Sequence, residues 1–193
     1  MFDSEEKVIE PTEIIIEGIK TEPVSSTHVS PWTRFFARLF DYTLFNFVVI
    51  LVLYLLIPTS ELYKFRWFVS ITYLVWIPFE SFFLSNFGYT PGKALMNTKV
   101  RTHFDEKLHY KQSMKRSFSV WVKGVGFGIP IISIATMFFS FFRLNLKGIT
   151  SWDLKGRYIV THYPISPFRY ILGVILIIAL TIIQNYLFLS DGV

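Results

Sequence analysis

Cysteine is absent from all 193 residues, which excludes a disulfide framework and any cysteine-ligated zinc site. Charge is scarce too: Asp, Glu, Lys and Arg make up 17% of the chain, against about 25% in an ordinary soluble domain. The four histidines (His28, His103, His109, His162) show no metal-ligand spacing and avoid the apolar runs. They read as surface residues, and neither a metal nor another cofactor is expected. The opening MFDSEEKVIE lacks the basic and apolar regions of a signal peptide.

Hydrophobicity is abundant. The chain is 52% hydrophobic and 19% aromatic, and its apolar segments approach the roughly 20 residues needed to cross a bilayer. These features predict an all-α polytopic membrane protein with three spanning helices, a kinked or re-entrant third helical region, and a small cytoplasmic β element. The first helix is expected from Trp32 to Ile57 and the second from Trp67 to Phe87, interrupted at Pro78. The last is expected from Phe168 to Leu189. Trp32, Tyr63, Trp67 and Trp152 fall near the boundaries, as interfacial aromatics do.

Charge is unevenly distributed. Residues 1–30 hold seven acids and two lysines, a net of −5, so the rest of the chain carries +10. The acidic segment, interrupted by Pro11 and Pro23, reads as a flexible cytoplasmic tail, with Ile14-Ile15-Ile16 as a short strand or docking peptide. The basic excess flanks apolar helices, so it fits anionic lipid headgroups rather than nucleic acid. Eight basic residues lie between positions 88 and 123, against Lys64 and Arg66 between the first two helices. The positive-inside rule therefore puts that loop and the N-terminus in the cytoplasm, most simply of a bacterial inner (plasma) membrane.

The third region, Phe118–Phe142, contains Gly124, Gly126, Gly128 and Pro130. One kinked spanning helix and a re-entrant hairpin are both compatible with it. Its basic flanks favour the hairpin, since a single crossing would put one flank outside. The GVGFGIP run follows no strand and has no Lys-Ser/Thr partner, so it is not a phosphate loop; close helix packing or a turn explains it. Upstream, LMNTKVRTHFDEKLHY predicts two short strands joined at Asp105-Glu106.

Charges inside apolar helices are the best candidates for function, because they face a partner, a cavity or a pathway. Arg34, Arg38 and Asp41 fall at i, i+4 and i+7 along one stripe of the first helix. Glu80 lies two residues after Pro78, and Asp153 follows the third region. A carboxylate in low dielectric can load and release a proton near neutral pH, which makes Asp41 and Glu80 candidate ion or ligand sites. Permanent pairs, Arg34 with Asp153 or Arg38 with Asp41, are the structural alternative.

With these residues in place, the chain resembles the RDD family of membrane proteins, named for one arginine and two aspartates. The resemblance spans residues 31–163 and takes in RFFARLFD, Glu80, the turn Gly88-Tyr89-Thr90-Pro91-Gly92-Lys93, and TSWDLKGRYIV around Asp153. Thr150 stands where the family pattern carries arginine. The family implies transport of unidentified ligands, with cation/proton exchange proposed for some members and accessory roles in membrane complexes for others. Residues 1–30 then form a tail, 31–163 the membrane domain, and 164–193 an additional transmembrane helix. In the turn, Gly88, Thr90, Pro91, Gly92 and Lys93 are expected at the membrane surface, with Lys93 touching lipid phosphate or a helix end.

No enzymatic site is expected. The aspartates do not sit on facing helices in a G-x-G-D context, and no serine–histidine pairing stands out. Two functions follow: transport of a cation, proton or small solute, or a scaffold in a membrane complex. Four membrane elements enclose little volume, so transport predicts a homo-oligomer; scaffolding predicts a membrane-protein partner.

Overall fold

The computed structural model describes residues 30–57 and 67–190. The acidic tail, the Lys64 and Arg66 loop and the C-terminal Asp191-Gly192-Val193 lie outside the described residues.

Among the described residues, three helices are long and apolar enough to cross a membrane. These are α1 (Pro31–Leu56), α2 (Phe68–Asn86) and α7 (Pro167–Ser190). Helix α1 starts where Ser30 accepts the Thr33 N–H and Pro31 supplies a preset φ. Helix α7 begins at the same end, where the Thr33 and Tyr170 hydroxyls are hydrogen-bonded. Helix α2 runs through Pro78 without interruption, contrary to the expected break; a membrane helix tolerates proline where neighbours satisfy the freed backbone. Val52, Leu55, Ile71, Phe82, Ile171 and Ile178 are exposed along these helices. Such a surface needs lipid around it.

After α2 the GYTPGK segment folds into a one-turn helix, α3 (Pro91–Leu95), then strand β1 (Thr98–Thr102). The expected local hairpin around Asp105-Glu106 does not form. Instead β1 pairs antiparallel with β2 (Tyr158–His162), Val100 opposite Val160. Alternation supplied two plausible strand segments in the loop, but the buried face is completed by Leu108 of the loop together with Leu84 of α2 and Tyr158 and Val160 of β2, the last two from a distant part of the chain.

The third apolar region is two helices, α4 (Tyr110–Gly124) and α5 (Pro130–Lys147). Between them Gly126, Phe127 and Gly128 all take positive φ, which reverses the chain where glycine meets little steric penalty. Helix α4 lies antiparallel along α2: Ser81 lies beside Met114, and farther on the Ser70 hydroxyl donates to the Gly128 carbonyl. Helix α5 doubles back, bringing Ser140 to the Lys123 carbonyl. A short helix, α6 (Ser151–Gly156), leads from α5 into β2. Residues Arg116 and Asp153, on either side of the reversal, meet at 2.8 Å. The region is thus a helical hairpin whose ends return together.

Candidate functional site

The charged residues singled out from the sequence gather where α1, α2, α3, α4, α6 and β2 converge. Asp41, on α1, is fully enclosed and accepts the Gly92 N–H at 2.6 Å and the Thr90 hydroxyl. Thr90 also caps α3, and Pro91 occupies its first turn. The free N–H groups of that turn therefore point at the carboxylate. Gly92 approaches α1 so closely that no side chain fits there.

Lys93 is buried, not at a lipid surface: its Nζ donates to Glu80 Oε1 at 3.1 Å and to Thr90 Oγ1 at 3.4 Å. The turn is therefore an internal plug, with Gly88, Thr90, Gly92 and Lys93 enclosed and Pro91 at its edge. Turn chemistry indicated where the chain bends, but a lysine that finds a buried carboxylate is more stable paired than in lipid.

Glu80 is shared. Arg116 Nη1 lies 3.8 Å from its Oε1, an ion-pair rather than a hydrogen-bond distance. Arg116 Nε in turn donates to Asp153 Oδ1 at 2.8 Å. Asp153 Oδ2 accepts from Arg34 Nη1 at 3.2 Å and from the Thr150 hydroxyl at 2.7 Å. Arg34 Nε donates to His162 Nε2 at 3.0 Å. One chain of contacts thus runs from Asp41 through Thr90, Lys93, Glu80, Arg116, Asp153 and Arg34 to His162.

Its electrostatics follow from burial and pairing. Burial alone would push the Asp153 carboxyl up; Arg116, Arg34 and Thr150 together hold it below its ordinary range. Burial also works against the charge on Arg116, but Asp153 and Glu80 more than offset it and raise its pKa. His162 is pushed down to about 4, by burial first and by Arg34 second. It is neutral near pH 7 and accepts from Arg34. It is therefore not the free surface histidine expected, whereas His103 and His109 are exposed; His28 is outside the described residues. Among the described residues no group of three or more His, Asp or Glu could hold a metal ion.

Of the two pairs expected, Arg34–Asp153 forms and Arg38–Asp41 does not. Arg38 has no hydrogen-bond or ion-pair partner among the described residues. Its guanidinium instead lies over the Trp152 ring, 5.9 Å from the centroid. Helical spacing put Arg38 and Asp41 on one stripe, but Asp41 is taken by the α3 turn. Beside Arg38 is a half-open cavity of about 380 Å³ between α1, α2, α4, α5 and α6. Arg34, Arg116, Asp153 and Trp152 share its wall with apolar side chains.

Besides His162, Arg116 and Thr150 are participants whose roles sequence reasoning missed. Thr150, standing in place of the family arginine, contributes a hydroxyl to the same Oδ2 that Arg34 reaches, while Arg116 brings a second positive charge to Oδ1. A signal was present: Ser113, Ser117, Val120 and Gly124 are all buried on the same helix as Arg116, a small-residue face suited to close packing.

Three apolar helices, a returning helical hairpin and an enclosed ionic network define a small polytopic membrane protein. The model of the RDD family matches residues 28–156, two thirds of the chain, and the protein belongs to that family. No curated protein and no solved structure matches the chain significantly.

Proposed function

We propose that this protein binds a small solute in the cavity beside Arg38 and handles it at or across the membrane, the ionic network serving as the frame that keeps the cavity in shape. The observation that carries this reading is the cavity itself, about 380 Å³ and bounded by the charged cluster; ligand pockets begin near 300 Å³. Glu80 and Asp153 each face two cations, which disfavours them as cation sites. Asp41 has no ion-pair partner among the described residues, so a proton-coupled step would fall on it.

The reading takes the α3 turn and the sheet to be cytoplasmic, by the loop charge, and the membrane to be a bacterial inner one. It involves no catalysis. A complete path across the bilayer would need a homo-oligomer, because one bundle this small encloses too little volume. The test is native mass spectrometry of protein released from lipid discs. Wild type should retain a bound small molecule that Met137→Trp, which fills the cavity wall, excludes; identical spectra would remove the reading.

A scaffold role is the second reading, favoured by the engagement of every carboxylate in the cluster. Loss of a stoichiometric membrane partner on deleting residues 1–30, with the cavity empty in the mass spectra, would select it.

A further inference from the structure

We infer that the ligand of this cavity is an amphiphilic anion: a phosphate or carboxylate head at Arg38, with a hydrocarbon chain leaving between α1, α2 and α5. The inference rests on the solute-binding reading and names the chemistry of the solute.

The clustered charges do not balance. Arg34, Arg38, Lys93 and Arg116 face Asp41, Glu80 and Asp153, leaving one cation in excess. Arg34, Lys93 and Arg116 are in direct ion pairs, whereas Arg38 feels Glu80 only from beyond ion-pair distance, so the excess centres on Arg38. A guanidinium amid membrane helices calls for a counter-charge, and its fork of donors suits a phosphate or carboxylate. Arg38 is directed inward rather than along the surface: a Cβ on Gly124 would lie 3.3 Å from its Nη1 and 3.3 Å from the Trp152 ring. The missing side chain at Gly124 thus makes the seat in which the guanidinium rests.

Away from the wall of Arg34, Lys93, Arg116 and Asp153, the cavity lining is largely apolar. Leu39 of α1, Val69 of α2 and Met137 of α5 line it and are also exposed. These three frame a mouth on the face that lipid covers, so a hydrocarbon chain passes through it without losing contact with hydrocarbon. The volume suits a head and a short stretch of chain, not a whole two-tailed lipid.

The test uses the full chain in phosphatidylcholine discs and follows fluorescence, with Trp152→Phe subtracted so that Trp152 reports. Octyl phosphate and octanoate should bind saturably. Inorganic phosphate should bind at least about 10-fold more weakly, since it lacks the chain. Octyltrimethylammonium should not compete. Arg38→Gln should weaken octyl phosphate about 10- to 100-fold, the loss of a hydrogen bond to a charged group, while Arg38→Lys keeps part of it; unchanged melting temperatures exclude misfolding. Competition by phosphatidic acid placed in the discs would assign the head to a bilayer lipid. Its absence would assign a free anion, and both keep the inference.

Equal binding of octyl phosphate by Arg38→Gln overturns it. So does a need to delete residues 1–29 before octyl phosphate binds, which would give Arg38 to the acidic tail. Binding of octyl glucoside or octyltrimethylammonium alone, abolished by Met137→Trp, would end the anion inference and leave the cavity reading standing. No probe binding, with Met137→Trp spectra unchanged, would end both.

Discussion

A Cβ placed on Gly92 would lie 2.0 Å from the Ala37 carbonyl oxygen. The α3 turn therefore touches the α1 backbone directly, and Asp41, four residues farther along α1, receives the Gly92 N–H. Gly92→Ala has to push the turn away and break that bond as well. A loss of about 1–3 kcal/mol or more is expected from overpacking, seen as a lower melting temperature in detergent. Gly124→Ala, with its nearest atoms at 3.3 Å, should cost less.

Thr90 spends its hydroxyl on Asp41 while capping α3. Thr90→Val keeps the shape and removes the donor, leaving an enclosed carboxylate oxygen short of a partner. That should cost about 1–3 kcal/mol, and Thr90→Ser should recover most of it. Equal melting temperatures for Val and Ser would show that the hydroxyl contributes nothing.

Arg116 serves two acids, whereas Arg34 is partly open to its surroundings and shares Asp153 with Arg116. Removing one partner of a buried ion pair costs about 3–5 kcal/mol. Arg116→Met should therefore destabilise the protein more than Arg34→Met. In a double-mutant cycle, Asp153→Asn should cost much less in the Arg116→Met background than in wild type. Additive losses would mean that the two residues are not coupled.

His162 contributes a pH dependence of definite sign. Unfolded, the imidazole binds a proton below about 6.5; folded, it does so only near pH 4. Between these values the unfolded state holds more protons at this residue, so its contribution to stability falls as pH drops through the window and is level above it. Asp153 adds a loss only at lower pH, since its folded pKa lies below the ordinary range. His162→Gln should remove that contribution, so that between pH 6.5 and 4 the variant loses less melting temperature than wild type does, and leave the more acidic loss in place.

The hairpin of α4 and α5 places exposed Lys107 and Lys155 at one end of the molecule. Because the chain has no native cysteine, single cysteines at these positions can be labelled in sealed vesicles without background. Both should react from the same side of the membrane. Labelling from opposite sides would require a single crossing.

Much of this architecture was legible because lipid imposes simple rules. Long apolar runs marked α1, α2 and α7, and a glycine-rich break with basic flanks favoured a returning hairpin. Charges stranded in apolar segments marked Asp41, Glu80 and Arg34 as residues with partners. The identity of the partners was not legible, because pairing is decided across distant segments. Lys93 looked like a surface lysine and Arg116 like one more basic residue of a loop; only the fold puts them against Glu80. The strand register failed for the same reason. Alternation is local, whereas the apolar face that β1 completes belongs to β2 and Leu84. Local spacing also misled at Arg38, where helical neighbours on one stripe turned out to serve different contacts.

The separation between Arg34 and Asp153, 119 residues along the chain, bears on how the protein is made. At ribosomal speeds of roughly 5–20 residues per second, α1 leaves the ribosome about 6–24 s before the acid that neutralises its arginine. During that interval its first turns carry unmatched charge, so the nascent helix must wait at the headgroup boundary, or within the insertion machinery, until later segments arrive. Maturation is therefore a late, concerted docking event. Truncations ending before residue 153 should be recognised by membrane quality control as orphans even though every hydrophobic signal in α1 and α2 is intact.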